Sequence, residues 1–282
     1  MKFTLSKSGL LLPERKIQRA PASDFWRQGP NPRWDEKRVR DYCERQRHEK
    51  RWKPQLITRG NVGAKHAAGT GVGSLATSAF ATTSGNLIVV MIRSFDSSIT
   101  SIVDTASNSY SLIASDVSGD PWLHCYVAQD ITGHVANVVT VTWAATGTYR
   151  WVDAIEYTGC ATALATDVTD NNTGTGTTDI TSNSFTTVQS VEVVVAGASQ
   201  SGLATYTAGA DFTLVSGSVD GGGFGGVQEY ITSSILSSYT AHITSTTTAG
   251  YTMLTVSFKA AAAGGGKPML YYQTQAQAAG GM

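Results

Sequence analysis

The sequence predicts a mainly β protein, a sandwich of antiparallel strands preceded by an extended N-terminal arm with one helix. From Gly85 to Lys259, short apolar runs alternate with turns rich in Gly, Ser, Thr and Asn, at a spacing typical of sandwiches and barrels. The first 66 residues differ, because they hold 17 of the 21 Lys and Arg and 7 of the 21 Asp and Glu. This arm therefore carries a net charge of +10 and the remainder −10.

Composition narrows the class of protein further. A chain of 282 residues with 41% hydrophobic content can bury one sizeable core or two modest ones. Its 3 cysteines, Cys43, Cys125 and Cys160, are scattered and favour free thiols over a disulfide framework or a zinc site. No apolar run approaches the roughly 18 residues of a membrane span, and the N-terminus lacks the apolar stretch of a secretory signal. We expect a soluble protein with an acidic body and no membrane partner.

The arm, residues 1–66, contains prolines at a density that prevents a continuous helix or a central strand over its first 34 residues. Large apolar side chains nevertheless lie among its basic residues, and burying each stabilises by roughly 1.5 to 3 kcal/mol. These residues are Leu10, Leu11, Leu12, Ile17, Phe25, Trp26 and Trp34. We expect them to be buried against the chain's own body or against a neighbouring subunit.

A helix is predicted from Asp35 to about Lys53. Acidic residues occupy its first turn, Pro54 ends it, and three acid-to-base pairs have i,i+4 spacing. Its apolar stripe is thin, consisting of Val39, Tyr42 and Cys43. Such a weakly amphipathic helix gains little by folding alone, so we expect it to dock on another surface.

Residues 67–84 are rich in Gly, Ala, Ser and Thr, which predicts a flexible linker between the arm and the β domain. The β domain, residues 85–259, contains two sets of predicted strands that resemble each other in order, in halves 85–160 and 184–259. The first set is 86–93, 99–104, 109–115, 122–129, 137–143 and 150–158. The second set is 184–188, 191–197, 211–216, 226–233, 239–244 and 250–258. We expect two sheets packed face to face, because that arrangement buries the apolar faces of both sets.

One strand and the C-terminal segment allow more specific predictions. Period-two alternation from Trp151 to Tyr157 places Asp153 on the same face as Trp151, Ile155 and Tyr157, with Glu156 on the other face. Residues 260–282 are predicted to form a second arm, whose apolar segment Met269–Tyr272 anchors to a neighbour.

The sequence contains no catalytic motif, so we predict neither an enzyme nor a bound cofactor or metal. The 5 histidines lie far apart and show no H-E-x-x-H spacing, and no G-x-S-x-G elbow is present. Gly264–Lys267 ends like a phosphate-binding loop, but Ala261 and Pro268 replace the glycine and the hydroxyl residue that such a loop needs.

Three weaker candidates for a ligand site have simpler explanations. An oxygen-rich segment suggests calcium, although its spacing fits a solvated turn better: Asp167, Asp170, Asn171, Asn172 and Asp179. Three tryptophans have rings able to stack on sugars, although burial in the sandwich is favoured: Trp122, Trp143 and Trp151. The glycine-rich stretch 221–226 is interpreted as a hinge or turn.

The basic arm has two alternative partners. Its Lys and Arg residues would neutralise phosphates of a nucleic acid, whereas its interleaved Trp, Phe and Arg are the residues that dominate protein interfaces. The acids mixed among the bases favour a protein partner. The predicted assembly interface consists of Phe25, Trp26, Arg33, Trp34, Arg38, Tyr42, Arg45, Trp52, Met269, Leu270, Tyr271 and Tyr272.

Four segments resemble a β-sandwich module of bacteriophage virion proteins that is also found in bacterial surface proteins. They are Ser84–Val90, Val103–Leu112, Ala136–Val141 and Glu156–Gly159, within a resemblance that covers roughly residues 80–259. The resemblance implies a jelly-roll-like antiparallel sandwich, displayed on a particle or a cell surface and lacking catalytic residues. The arm resembles no family.

Together these observations predict a non-enzymatic phage virion structural protein, made in the host cytoplasm and assembled into the virion. The arm would fasten it to capsid, portal or tail proteins, as a homo-oligomer, with the sandwich displayed as a capsid decoration or a tail-fibre-like appendage. One alternative is a jelly-roll capsid subunit whose arm contacts packaged nucleic acid. Another is a carbohydrate-binding surface module.

Overall fold

A computed structural model describes residues 3–5, 11–13, 56–67, 71–95, 97–119, 121–163, 165–216, 225–232 and 238–262. Every regular element within these residues is a β-strand, and every strand pairing there is antiparallel. The mainly β prediction is therefore confirmed. The predicted helix at about 35–53 lies outside the described residues. No helix able to cross a membrane occurs in the part of the chain that is described.

The chain divides into two units, Met1–Trp52 and Lys53–Met282. The first contains an antiparallel hairpin of β1 (Phe3–Leu5) and β2 (Leu11–Pro13). Described strands in the first half of the second unit are β3 (Thr58–Ala67), β4 (Val72–Ala76), β5 (Phe80–Thr82), β6 (Leu87–Ser94), β7 (Ile99–Asp104), β8 (Ser111–Asp116), β9 (Trp122–Ala128), β10 (His134–Asn137), β11 (Val139–Gly147) and β12 (Arg150–Thr158). Those in its second half are β13 (Thr166–Thr181), β14 (Glu192–Gln200), β15 (Tyr206–Ala208), β16 (Thr213–Ser216), β17 (Gly225–Ile231) and β18 (His242–Lys259).

The two halves of the second unit have the same strand order. In the first half, a five-stranded sheet has the order β3-β12-β6-β9-β8 and a three-stranded sheet has the order β4-β11-β7. In the second half, the corresponding order is β13-β18-β14-β17-β16, with β15 paired to the N-terminal part of β18. The long strands β13 and β18 therefore each correspond to two strands of the first half.

Individual hydrogen bonds repeat between the halves as well. In the first half, Thr77 N donates to Val139 O at 2.9 Å and Val139 N donates to Thr77 Oγ1 at 3.1 Å. In the second half, Ser182 N donates to Ala241 O at 2.9 Å and Ala241 N donates to Ser182 Oγ at 3.0 Å. The repetition therefore extends from strand order to single residues.

Both faces of the five-stranded sheet are covered by apolar side chains. One face packs on the three-stranded sheet through Val90, Val141 and Val152, among others. The other packs on the large sheet of the second half through Met91, Ile155 and further residues. All eight residues of β6 are consequently buried, which explains why this stretch is apolar without alternation.

The predicted alternation along β12 is confirmed by these two cores. Trp151, Ile155 and Tyr157 belong to the core between the halves, whereas Val152 and Ala154 belong to the core within the first half. This is the period-two geometry of a strand buried on both faces.

Two polar bridges join the halves across their shared core. Near one end, Arg93 is fully buried and donates to Ser199 Oγ at 2.6 Å and to Gln200 O at 3.0 Å. Near the other end, Tyr157 donates to Glu229 Oε2 at 2.6 Å, and Arg59 Nη1 lies 3.1 Å from Glu229 Oε1. Burial and the neighbouring Glu229 carboxylate raise the pKa of Tyr157 well above its ordinary value, so the phenol remains a donor.

The predicted boundaries of the arm and the linker are wrong. Residues 58–67 form β3, which pairs with β12 at the edge of the five-stranded sheet, and residues 72–76 and 80–82 form β4 and β5 within the predicted linker. Single apolar anchors, Ile57, Leu75 and Phe80, are buried and hold these Gly- and Ser-rich segments on the body. Composition indicated a linker because edge strands expose most of their side chains.

Three predictions in the second half also need correction. The strand expected at 184–188 is reduced to one bridge between Phe185 and Tyr239. The strands expected at 239–244 and 250–258 are one continuous strand, β18. The 16-residue β13 was not predicted, since its Asp, Asn, Gly and Thr residues are typical of turns.

Deleting residues 1–55 should leave the body folded, whereas deleting residues 1–67 should not. The longer deletion removes β3 and the buried Ile57, and exposes an edge of β12. We expect the 56–282 chain to melt close to the full-length protein, and the 68–282 chain to melt more than about 10 °C lower, or to aggregate. Circular dichroism melts would measure this, and equal melting of the two truncations would contradict the assignment of β3 to the body.

Replacing Tyr157 with Phe should destabilise the body by about 1 to 3 kcal/mol, because the buried Glu229 carboxylate loses a hydrogen-bond donor. Urea unfolding would measure the change. Tyr126→Phe is the matched control, since the Tyr126 hydroxyl makes no hydrogen bond to another described residue and its loss should cost under about 0.5 kcal/mol. Equal effects of the two substitutions would argue against the bridge.

Candidate functional site

The residues predicted as an assembly interface, between Phe25 and Trp52 and between Met269 and Tyr272, all lie outside the described residues. The described body shows instead where the two arms join it. Ala261 N donates to Gly159 O at 2.7 Å, and Leu56 O lies directly against the α-carbon of Gly159, which has φ of +76° and leaves no room for a Cβ. Both arms therefore leave the body beside Gly159, at what we call the attachment end, residues 56–58, 158–161, 188–191 and 259–262.

A buried carboxylate lies close to the attachment end in the first half. Glu156 Oε1 accepts hydrogen bonds from Thr83 N at 2.7 Å and from Asn86 Nδ2 at 2.6 Å. Gly60 faces this carboxylate, and a side chain there would collide with Oε2. The Glu156 carboxylate, which is 2% exposed, therefore accepts its hydrogen bonds from neutral groups.

The second half replaces this arrangement with a pair of carboxyl groups. Register aligns Glu192 with Asn86, because the next residues, Val193 and Leu87, pair with equivalent positions of β18 and β12. Glu192 Oε1 accepts from Gln189 N at 2.9 Å. Burial raises the pKa of Glu192 to about 7; hydrogen bonds from Ser257 and Gln189 oppose this rise, and the nearby Asp167 carboxyl adds to it. A proton is therefore held at this pair near neutral pH.

The acids of the body divide between its interior and its surface. Of its acidic residues, five are buried, each with polar partners inside the protein: Asp116, Asp153, Glu156, Glu192 and Glu229. Among the described residues, Asp130, Asp179 and Asp211 are exposed, and Asp104, Asp167 and Asp170 are partly exposed. Arg93 and Arg150 are buried as well, so the buried side chains account for a net charge of only −3 out of the −10.

The oxygen-rich segment does not assemble a calcium site. Its residues lie along β13 and bond in different directions: Asp170 accepts from Asn183 N at 2.7 Å, and Asn171 Nδ2 donates to Asp116 Oδ2 at 2.7 Å. Asn172 Nδ2 donates to Thr181 O at 2.8 Å. No group of three or more His, Cys, Asp or Glu suited to a metal occurs within the described ranges.

The predicted fates of the tryptophans and cysteines can be checked in part. Trp143 and Trp151 are buried, at 4% and 2% exposure, as predicted, whereas Trp122 is partly exposed. Cys125 and Cys160 are free, as predicted; both are buried, and burial raises the pKa of both thiols. Cys43 lies outside the described residues.

Ser94 and His124 lie together but do not form a nucleophilic pair. Ser94 Oγ donates to Ser97 O at 3.1 Å and lies 3.5 Å from His124 Nε2. Burial, with a contribution from the Arg150 charge, lowers the pKa of His124 to about 4. Both side chains are buried, so this contact is part of the protein's internal hydrogen bonding.

One polar network follows β7 in the first half, within the segment Val103–Leu112. Asp104 Oδ2 accepts from Asn108 Nδ2 at 2.8 Å, from Tyr110 Oη at 2.8 Å and from Asn137 Nδ2 at 2.9 Å. Burial alone would raise the pKa of Asp104, but these hydrogen bonds outweigh it and the pKa is lowered. The network ties the turn after β7 to the end of β10.

At the equivalent place the second half carries an aromatic cluster, Phe212, Tyr230 and Tyr239. The ring centroids form a triangle with sides of 5.7, 6.0 and 6.2 Å. Tyr239 takes the position of Asn137, because each pairs with a phenylalanine, Phe185 or Phe80. Phe212 and Tyr110 each directly precede the strand that pairs with β17 or β9.

Sequence reasoning missed the aromatic cluster, since its three residues are far apart along the chain. The signal available was the match of Asp211–Leu214 with Ser109–Leu112, in which an aromatic ring occupies the second position of both segments.

Comparison with models of protein families, with curated proteins and with solved structures finds no match to this chain.

Replacing Glu192 with Gln should remove a pH dependence of stability between about pH 5 and 8. The folded-state pKa is raised above its ordinary 4.5 to about 7. The protonated group therefore contributes stability that is present at low pH and is lost as pH rises through 7, at up to about 1.4 kcal/mol per pH unit. Gln carries no ionisable proton, so the variant should be the more stable protein at pH 8.

Urea unfolding at pH 5, 6, 7 and 8 would measure this dependence. Glu156→Gln is the matched control for loss of a buried carboxylate, because Glu156 has neutral donors where Glu192 has a second carboxyl. An unchanged slope in Glu192→Gln would contradict the shared proton.

Proposed function

We propose that this chain is a non-enzymatic structural protein of a phage virion, fastened to the particle by its arms and displaying its β body as a capsid decoration or fibre-like appendage. The observation that carries the proposal is the attachment end. Leu56 and Ala261 flank one residue, Gly159, so both arms can engage a single docking surface while the rest of the body projects away from it.

We also propose that each half is a jelly-roll-like sandwich. The strand order supports this, because the first strands of the first half pair with its last strands, β3 with β12 and β4 with β11. β6 then lies beside β12 in the larger sheet. Chains wound so that their beginning and end run side by side are typical of jelly rolls.

The distribution of charge supports a partner other than the chain's own body. The basic arm needs an acidic or polar counterpart, yet most described acids of the body are buried or already bonded. Its Trp, Phe and Arg residues fit a protein partner, such as a capsid, portal or tail protein, in a homo-oligomeric assembly. The net charge of +10 on the arm favours one second candidate, a capsid subunit whose arm contacts packaged nucleic acid.

The proposal predicts that removing residues 1–55 abolishes incorporation into particles. A tagged 56–282 chain, or the full-length chain, would be supplied during particle production, and gradient-purified particles probed for the tag. Full-length chain should be incorporated and the truncation should remain unassembled although folded. Incorporation of both chains at equal levels would overturn the anchoring role.

A double substitution, Trp26→Ala with Trp34→Ala, distinguishes between the two proposed partners of the arm, protein and nucleic acid. It should reduce incorporation at least tenfold if aromatic protein contacts dominate. If nucleic acid is the partner, the double variant should still assemble, and binding of the full-length chain to DNA or RNA should fall steeply with salt.

A further inference from the structure

The acid pair of the second half, Asp167 and Glu192, lies where the first half has one carboxylate, Glu156. Glu192 is equivalent to Asn86 by register. Asp167 is equivalent to Gly60, because each is the first of two residues that bulge opposite one residue of the partner strand, near the start of β13 or β3. Glycine leaves room for the carboxylate in the first half, whereas the second half places another acid there. The fold therefore does not require the acid pair.

Both acids hold the same short segment of backbone, residues 187–191, which leads into β14. Val188 N donates to Asp167 Oδ2 at 2.9 Å, and Gln189 N donates to Glu192 Oε1, also at 2.9 Å. Two consecutive backbone N–H groups are thus held by two different carboxyl groups.

The same segment supports the base of the C-terminal arm. Val191 O accepts from Ala260 N at 3.1 Å, one residue before Ala261, where the arm begins. Val188 is 64% exposed, so its backbone is held by the hydrogen bond to the acid and not by burial of its side chain. Whatever weakens the acid pair therefore loosens this part of the attachment end.

The acid pair needs a proton to remain together. Glu192 is fully buried, and its side chain is hydrogen-bonded to the Asp167 carboxyl, which requires that one of the two groups be protonated. Burial, to which the Asp167 carboxyl adds, raises the pKa of Glu192 from its ordinary 4.5 to about 7. The proton is therefore bound at lower pH and is lost as pH rises through about 7.

The neighbouring strands do not neutralise the pair when the proton leaves. Lys259 of β18 lies opposite Glu192 in the register, but it is partly exposed and makes no ion pair with either acid among the described residues. On the other side of β14, Thr232 offers a neutral hydroxyl, which accepts from Glu192 N at 2.9 Å. Residues 187–191 carry no charge. Loss of the proton therefore leaves two adjoining negative charges.

We propose that Asp167 and Glu192 form a proton-controlled latch on residues 187–191. With one shared proton, each carboxyl accepts a hydrogen bond from the segment, and the latch is closed. When the proton passes to solvent, the two carboxylates repel each other, the partly exposed Asp167 turns toward water, and the backbone of Val188 is released. Opening loosens the base of the C-terminal arm. The latch belongs to the body and does not depend on assembly into a virion.

Amide hydrogen exchange of the full-length chain, measured by NMR from pH 5.5 to 8, would test the latch. The readout is the protection of the Val188 and Gln189 amides, corrected for the intrinsic pH dependence of exchange. Protection should fall about tenfold between pH 7 and 8, because the closed state binds one proton more than the open state. Thr83 is the control within the same molecule, since neutral groups share its acceptor, Glu156, and its protection should stay constant.

Asp167→Asn removes one charge and keeps an oxygen that accepts from Val188 N, so protection of Val188 should become independent of pH. Glu156→Gln is the matched control, because it changes a buried acid of the first half and should leave the fall at Val188 intact. Should Asp167→Asn prove unfolded by circular dichroism, Glu192→Gln replaces it with the same expected result. Constant protection of Val188 in the natural chain would overturn the proposal, as would a fall that these variants retain or an equal fall at Thr83.

Discussion

The structure of the body depends on one constraint: the five-stranded sheet is apolar on both faces. A sheet of this kind is stable in water only when each face is covered, and burial of each large side chain contributes roughly 1.5 to 3 kcal/mol. The three-stranded sheet covers one face and the second half covers the other. The halves consequently behave as one body, and the bridges at Arg93 and Glu229 set their register within the shared core.

Sequence patterns located the strands that this constraint governs. Runs such as Leu87–Ser94 and Arg150–Thr158 carry strong apolar signals, and their observed bounds lie within a residue or so of those predicted. β3, β4 and β13 were missed for a common physical reason. They lie at sheet edges, where backbone pairing and a few apolar anchors hold a segment whose exposed side chains have the composition of a loop.

Charge and the candidate site were harder to predict, because both depend on tertiary placement. The sequence counts carboxylates, but only the fold shows that Asp116 and Glu156 point inward to donors from remote segments of the chain. Likewise, the contacts among Phe212, Tyr230 and Tyr239 arise from tertiary packing and not from a local sequence pattern. Because the two halves have the same strand order, such differences can be identified by comparing equivalent positions.

Leu56 and Ala261, the residues at which the two arms begin, both lie beside Gly159, which has a mechanical consequence. Tension applied between the two arms falls first on the few contacts around that glycine and on the adjoining ends of β3 and β18. This tension does not pass along the strands of the two halves, as it would in a domain pulled from opposite ends. Pulling on both arms would therefore load these contacts and leave the interior of the two halves unloaded.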